Sequence, residues 1–182
     1  MRSASSVGRS IPLLLWVLTA GAHTLDAGNT EVTLEVWQFG LRWLSAQFRQ
    51  LSGQFTPAQD GGRLDVVVRT DSIDCRDGEW NVRLRSAQWL DTVRFPEMVY
   101  HSTRIEVSGA SALVQGELTL HGVTRPLALH ITGLACGRAP QGTALACRFE
   151  GRGELRRSEF GLPHGTWQGG DLVQVRVRGF GG

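Results

Sequence analysis

The chain contains no lysine; its 19 basic residues are all arginine, set against 17 acidic ones for a formal net charge of +2. So small a surplus, without a basic block or any alternation of basic and aromatic residues, gives nucleic acid no electrostatic footprint. No His-x-x-x-His or His-x-x-Glu-His pair is present, so the common helical zinc sites are missing. No Gly-x-Ser-x-Gly elbow occurs, and no glycine-rich loop leads from a strand into a helix, so serine-hydrolase and nucleotide signatures are missing too. The three cysteines, Cys75, Cys136 and Cys147, have no histidine or second cysteine at zinc-ligand spacing. No cofactor and no catalysis are therefore expected.

A membrane-spanning run is also missing. The longest apolar stretch, Ile11 to Leu18, falls short of the roughly 20 residues a bilayer needs. Arg2 and Arg9 stand before it, and Ala20-Gly21-Ala22 after it supplies a small-x-small cleavage site. We read residues 1–22 as a secretory signal peptide and 23–182 as one mature domain. Cleavage near Ala22 would deliver that domain to the periplasm or outside the cell. An oxidising compartment permits disulfides. Cys136 and Cys147 flank a Gly/Pro loop between two strand-like runs and are the expected pair, which leaves Cys75 as the odd one.

What the mature chain does have is period-two alternation, which puts every second side chain on one face of a strand. It is clearest from Leu113 to Ile131, where Val114, Gly116, Leu118 and Leu120, then Leu127, Leu129 and Ile131, form one apolar face around a break at His121–Thr124. The same pattern sets Val32, Leu34 and Val36 together, then Ala46 and Phe48, then Leu64, Val66 and Val68, and finally Val173, Val175 and Val177. Met98–Val107 and Ala144–Leu155 read as further strands. Between them, Trp80, Leu84, Ala87 and Leu90 fall at helical spacing, with Asp77 as a candidate N-cap and Pro96 as a stop. The fold class is therefore all-β: about eight antiparallel strands with one or two short helices inserted near residues 78–92. That number closes a small barrel able to hold one ligand. A two-sheet sandwich is the competing architecture, and alternation does not separate the two.

Of the five histidines, His101 and His130 sit opposite the apolar face, His121 in the hairpin turn, His164 in a Pro/Gly loop and His23 at the mature start. Asp65, Asp71, Asp74, Asp77 and Asp91 gather around the helical insert without the Asp-x-Asp-x-Asp-Gly spacing of a calcium loop, so caps and turns account for them.

Several strings resemble the YceI-like family. They are Ser72-Ile73-Asp74, Leu84-Arg85-Ser86, Trp89-Leu90-Asp91 and Phe95-Pro96, the hairpin string from Gly116 through Leu118-Thr119-Leu120-His121-Gly122-Val123-Thr124-Arg125-Pro126, and Arg157-Ser158-Glu159-Phe160-Gly161. The resemblance implies a lipocalin-like barrel whose lumen binds a polyisoprenoid or other long amphiphilic lipid, without catalysis. It also leaves room for a membrane-associated partner and a homodimer. Carrying the alternation inward makes Leu34, Val36, Phe48, Val66, Val68, Met98, Tyr100, Leu118, Leu120, Leu129, Phe149 and Val175 the expected lumen residues. His121, Arg125 and Arg157 are head-group candidates, since arginine offers a bidentate fork to phosphate. Where the family often has histidines, this chain has Asn29-Thr30 and Gln38-Phe39-Gly40, so the polar end of the site differs. A second expectation is a non-catalytic accessory or stress-response module whose barrel is filled with side chains.

Overall fold

In the computed structural model, residues 23–25, 28–58, 61–138, 145–165 and 167–181 are described. The expected signal peptide at 1–22 lies outside them. The described strands are β1 (His23–Thr24), β2 (Glu31–Gln38), β3 (Leu41–Phe48), β4 (Leu51–Thr56), β5 (Arg63–Arg69), β6 (Ile73–Asp74), β7 (Glu97–Ser108), β8 (Ser111–Leu120), β9 (Val123–Arg138), β10 (Leu145–Arg156) and β11 (Leu172–Gly181). A single α-helix among the described residues, α1 (Gly78–Arg85), follows β6, and two short 3-10 turns lie at Thr70–Ser72 and Arg157–Phe160. All strand pairings are antiparallel, in the order β1-β4-β5-β7-β8-β9-β10-β11-β2-β3-β6.

These eleven pieces amount to eight strands. β3 and β4 are one strand bent at Arg49-Gln50; its first half pairs with β2 and its second with β5. The segment β5–β6 bends beside it at Thr70–Ser72, so that Phe48 faces Ile73 while Leu51 faces Val68. The corner is held by the Arg49 amide donating to the Ser72 carbonyl at 3.2 Å and the Arg69 amide donating to the Gln50 carbonyl at 3.0 Å. Through this corner the two ends of the curled sheet meet, and the architecture is a lipocalin-like barrel and not a sandwich.

Alternation dictates the inside. Val32, Val36, Ala46, Phe48, Val68, Met98, Tyr100, Val114, Leu118, Leu120, Leu129, Val173 and Val175 are all buried, while His101 and His130 face outward and are exposed. The β8–β9 hairpin turns on two residues, His121 (φ 52°) and Gly122 (φ 74°), the double positive φ that a tight type I′ connection requires. The Cys136–Cys147 disulfide is formed, and the two residues are directly opposed between β9 and β10.

α1 starts as the sequence indicates: the Asp77 carboxylate accepts from the Trp80 amide at 3.0 Å. It then stops earlier than the helical spacing implied. Ser86 turns back on Arg83, the Leu90 amide donates to the Leu84 carbonyl at 3.0 Å, and Ala87 is left exposed while Trp89 and Leu90 are buried. One short helix is present, followed by turns. It lies at the end of the barrel that also carries the 39–40 turn, the 121–122 turn and the 161–171 loop; we call this the helix end. The opposite, disulfide end carries the 57–62 and 109–110 connections and the Cys136–Cys147 bridge.

Candidate functional site

The barrel lumen contains two small apolar cavities. The larger, about 80 Å³, lies toward the disulfide end; Val66, Val68, Met98, Tyr100, Leu118, Leu129, Phe149 and Val175 line it. The smaller, about 50 Å³, lies toward the helix end and is lined by Val36 and Leu120 among others. Leu34 and Leu155 line both, and so form the partition between them. Phe48, expected in the lumen lining, borders neither; it is 1% exposed and packs as core at the corner. Alternation located the inward face, but the corner bend tucks this ring out of the open space.

Tyr100 fills space on the wall. Its ring lies over the neighbouring strand β8 at the position that a Gly116 side chain would occupy: a Cβ there would meet the Tyr100 hydroxyl at 2.6 Å. The hydroxyl lies 3.2 Å from both the Val114 and Leu127 carbonyls. Burial pushes its pKa up to about 12, so it remains a neutral donor.

The head-group candidates separate in space. Arg157 is buried (4% exposed) and borders the smaller cavity. Its Nη2 donates to the Gln168 and Gly169 carbonyls at 2.7 and 3.0 Å, and its guanidinium lies over the Trp89 ring, 5.3 Å from the centroid. Nε and Nη1 meet no hydrogen-bond partner among the described residues. Burial lowers the Arg157 pKa, and the Asp171 charge opposes that effect. A buried cation with free donors on an apolar cavity is costly unless an acceptor reaches it.

His121 is instead a latch. Its Nδ1 lies 3.2 Å from the Phe160 carbonyl and its ring packs edge-on against Phe95 at 4.6 Å. Arg125 shares a face with Leu118 by register, yet it is exposed and donates to the Thr124 carbonyl at 3.0 Å. No hydrogen bond or ion pair among the described residues joins either one to Arg157.

Of the lining residues outside the expected set, three matter most. Thr30 is 5% exposed and lines the larger cavity, and its hydroxyl has no hydrogen-bond partner among the described residues. Extending the Val32–Leu34–Val36 alternation one step back would have found it. Leu155 continues the inward parity of β10. Trp89 closes the smaller cavity as part of an edge-to-face series, Trp43–Trp80 at 5.1 Å and Trp80–Trp89 at 6.0 Å.

A cavity of about 490 Å³, larger than either of the two described above, is not in the lumen. It is a polar groove on the outer wall, lined by His130, Arg152, Glu154, Gln174 and Arg176, where the β9–β10 ladder stops at Arg152 opposite His130. Nearby on the outside, the buried Glu35 carboxylate is held between Arg42 at 3.2 Å and Arg176 at 3.0 Å. The aspartates at the insert act locally. Asp74 accepts from Asn81, the Arg76 amide and Arg49, which brings its pKa down to about 2. Burial of Asp171 is outweighed by hydrogen bonds from the Ser158 amide and hydroxyl, and its pKa is lowered.

Known proteins match this arrangement. The family model for the YceI-like domain matches residues 23–179. Protein YceI of Escherichia coli is 32% identical over 136 residues, covering 72% of this chain and 70% of its own length. Its Salmonella arizonae counterpart is 31% identical over 136 residues, with 72% and 70% covered. Among solved structures, BcnA of Burkholderia cenocepacia superposes with a TM-score of 0.74 at 21% identity, covering 86% of this chain and 98% of that one. A polyisoprenoid binding domain from Saccharophagus degradans, implicated in plant cell wall breakdown, superposes with a TM-score of 0.58 at 15% identity, covering 87% and 97%.

Proposed function

Since the chain belongs to the YceI-like family, we propose that it is a periplasmic or secreted, non-catalytic binding protein for a polyisoprenoid or similar long amphiphile. The hydrocarbon chain lies in the apolar lumen and its polar head meets Arg157. The observation that carries this reading is the buried Arg157 guanidinium, with two unpartnered nitrogens beside an apolar cavity. A phosphate or carbonyl oxygen would satisfy those donors, and each buried methylene would add about 0.8 kcal/mol. The disulfide suits an oxidising compartment.

The cavities of about 80 and 50 Å³ are far below the ~300 Å³ or more that a drug-sized ligand occupies. Binding therefore requires the lumen to open, and Leu34 with Leu155, which stand between the two cavities, are the side chains whose movement joins them. The same volumes favour a second reading, in which the barrel stays filled and serves as an accessory or stress-response module. Lipid extraction and mass spectrometry of the purified protein, with uptake of added prenyl phosphate and prenol, decides between them. The carrier reading expects a bound amphiphile, with Arg157→Leu losing about tenfold in affinity for the phosphate but little for the alcohol. No amphiphile recovered and no uptake of either probe would leave only the filled barrel.

A further inference from the structure

We propose that the helix end of the barrel docks on a lipid bilayer through three side chains at turn tips: Phe39, Leu41 and Trp167. The inference rests on the carrier reading, because an amphiphile of that class resides in a bilayer. Six large hydrophobic residues stand out as exposed among the described residues. Phe39 (88%), Leu41 (73%), Val82 (71%), Val93 (93%) and Trp167 (90%) are at the helix end, and only Val107 (59%) is at the other. Scattered exposure is ordinary, but exposure gathered at one end of a barrel marks a contact surface.

The backbone supports display and not accident. Phe39 has φ 52° at the tip of the β2–β3 hairpin, a conformation that asparagine or glycine adopts easily and a bulky ring does not. A strained aromatic facing solvent contributes nothing to the fold that holds it. Trp167 sits on a turn closed by the Gly165 amide donating to the Gly169 carbonyl at 2.9 Å, and Arg157 braces that turn from inside through the Gln168 and Gly169 carbonyls. The two tips are neighbours: Gly170 packs against the Trp37 carbonyl, and Gly169 against the Trp43 ring.

Their shape selects a bilayer over a protein. None of the three cavities described above is lined by Phe39, Leu41 or Trp167, and the residues project from two turns. A stable protein interface needs about 800 Å² of complementary surface on each side. A bilayer takes separate apolar tips without matching their shape, and aromatic rings favour its interface. Arg83 and Arg94, stacked on Trp80 and Phe95 at the same end, make no ion pair among the described residues and are available to lipid phosphates. The smaller lumen cavity lies just behind, walled by Trp89 and bordered by Arg157.

The test is cosedimentation of the full mature protein with phosphatidylethanolamine–phosphatidylglycerol vesicles. The wild type should partition onto them. The triple variant F39S/L41S/W167S should lose about tenfold or more in partitioning, while V107S, at the opposite end, matches the wild type. Circular dichroism and sedimentation velocity confirm that the triple variant is folded and of unchanged mass. A triple variant that binds vesicles like the wild type overturns the proposal, as does a wild type that ignores them. A dimer lost in the triple variant also overturns it, since the patch would then join copies of the chain. The two proposals fail separately. Vesicle binding with no recoverable amphiphile and no uptake of either prenyl probe leaves the docking surface and removes the carrier. Amphiphile uptake from vesicles at the wild-type rate by the triple variant leaves the carrier and removes the docking surface.

Discussion

The two ends of the barrel solve the same problem with different chemistry. At the helix end the lumen is closed by edge-to-face tryptophans, α1 and a loop that a buried arginine holds in place. At the disulfide end it is bounded by partly buried side chains, Leu64, Phe149 and Val177, with Thr30 as a polar atom among them and a cross-strand bridge outside. The first end is built on tertiary contacts that bring β3, α1, Trp89 and the 161–171 loop together. The second is built on local pairing and one covalent bond. The difference teaches that a buried charge and apolar capacity need not share a place: the cation is at one end and the larger cavity toward the other.

That contrast can be broken by cutting each end in turn. Trp89→Ala removes a buried ring from the helix end and should cost about 4 kcal/mol in chemical denaturation, whereas Phe149→Ala at the other end should cost about half of that. Equal losses would mean that the helix end is no more tightly built. Replacing Cys136 and Cys147 together by alanine should cost about 2 kcal/mol, because their bridge closes only a short loop. Faster amide exchange should then be confined to the ends of β9 and β10; protection lost around Trp89 would show the ends to be coupled. The smallest effect concerns pH. Asp74, held to about 2, and Asp171, also lowered, both serve the helix end. Carboxylates whose pKa falls on folding stabilise the native state above their ordinary value near 3.8, and that contribution is lost as pH falls toward about 2. Tryptophan fluorescence should therefore report loosening of the helix end over that window before β9–β10 is affected. Both ends opening together would erase the distinction.

Much of this was legible in the strands. Alternation from Leu113 to Ile131 gave the β8–β9 hairpin with its inward set, and Asp77 announced α1. The corner at Arg49-Gln50 was written there too, as a slip of phase: Ala46 and Phe48 face inward, and so does Leu51, three residues on. Grouping only Ala46 with Phe48 left that slip unread. The volume of the lumen was not legible, because alternation shows a face and not how far opposing side chains reach across it; that Tyr100 takes the place left by Gly116 on the neighbouring strand follows from the register of β7 on β8. Nor was the burial of Arg157. A charged residue after a strand looks solvated until a loop from Leu162 to Asp171 folds over it. The difference between Arg125 and Arg157 has the same origin, since sequence shows their type and not that one is exposed and the other buried.

The β2–β11 ladder has a consequence for how the molecule forms. Every other major ladder joins segments close along the chain, but this one pairs Glu31–Val36 with Val173–Arg178. The barrel has no closed ring until its last strand exists, and loop closure over such a separation makes that step slow. A chain still emerging is an open, curled ribbon with its apolar face accessible, so the lumen comes into being in one late event. Pulsed hydrogen exchange should find the β2–β11 amides protected after all the hairpins, and the moment of their protection is the first at which the barrel has an inside.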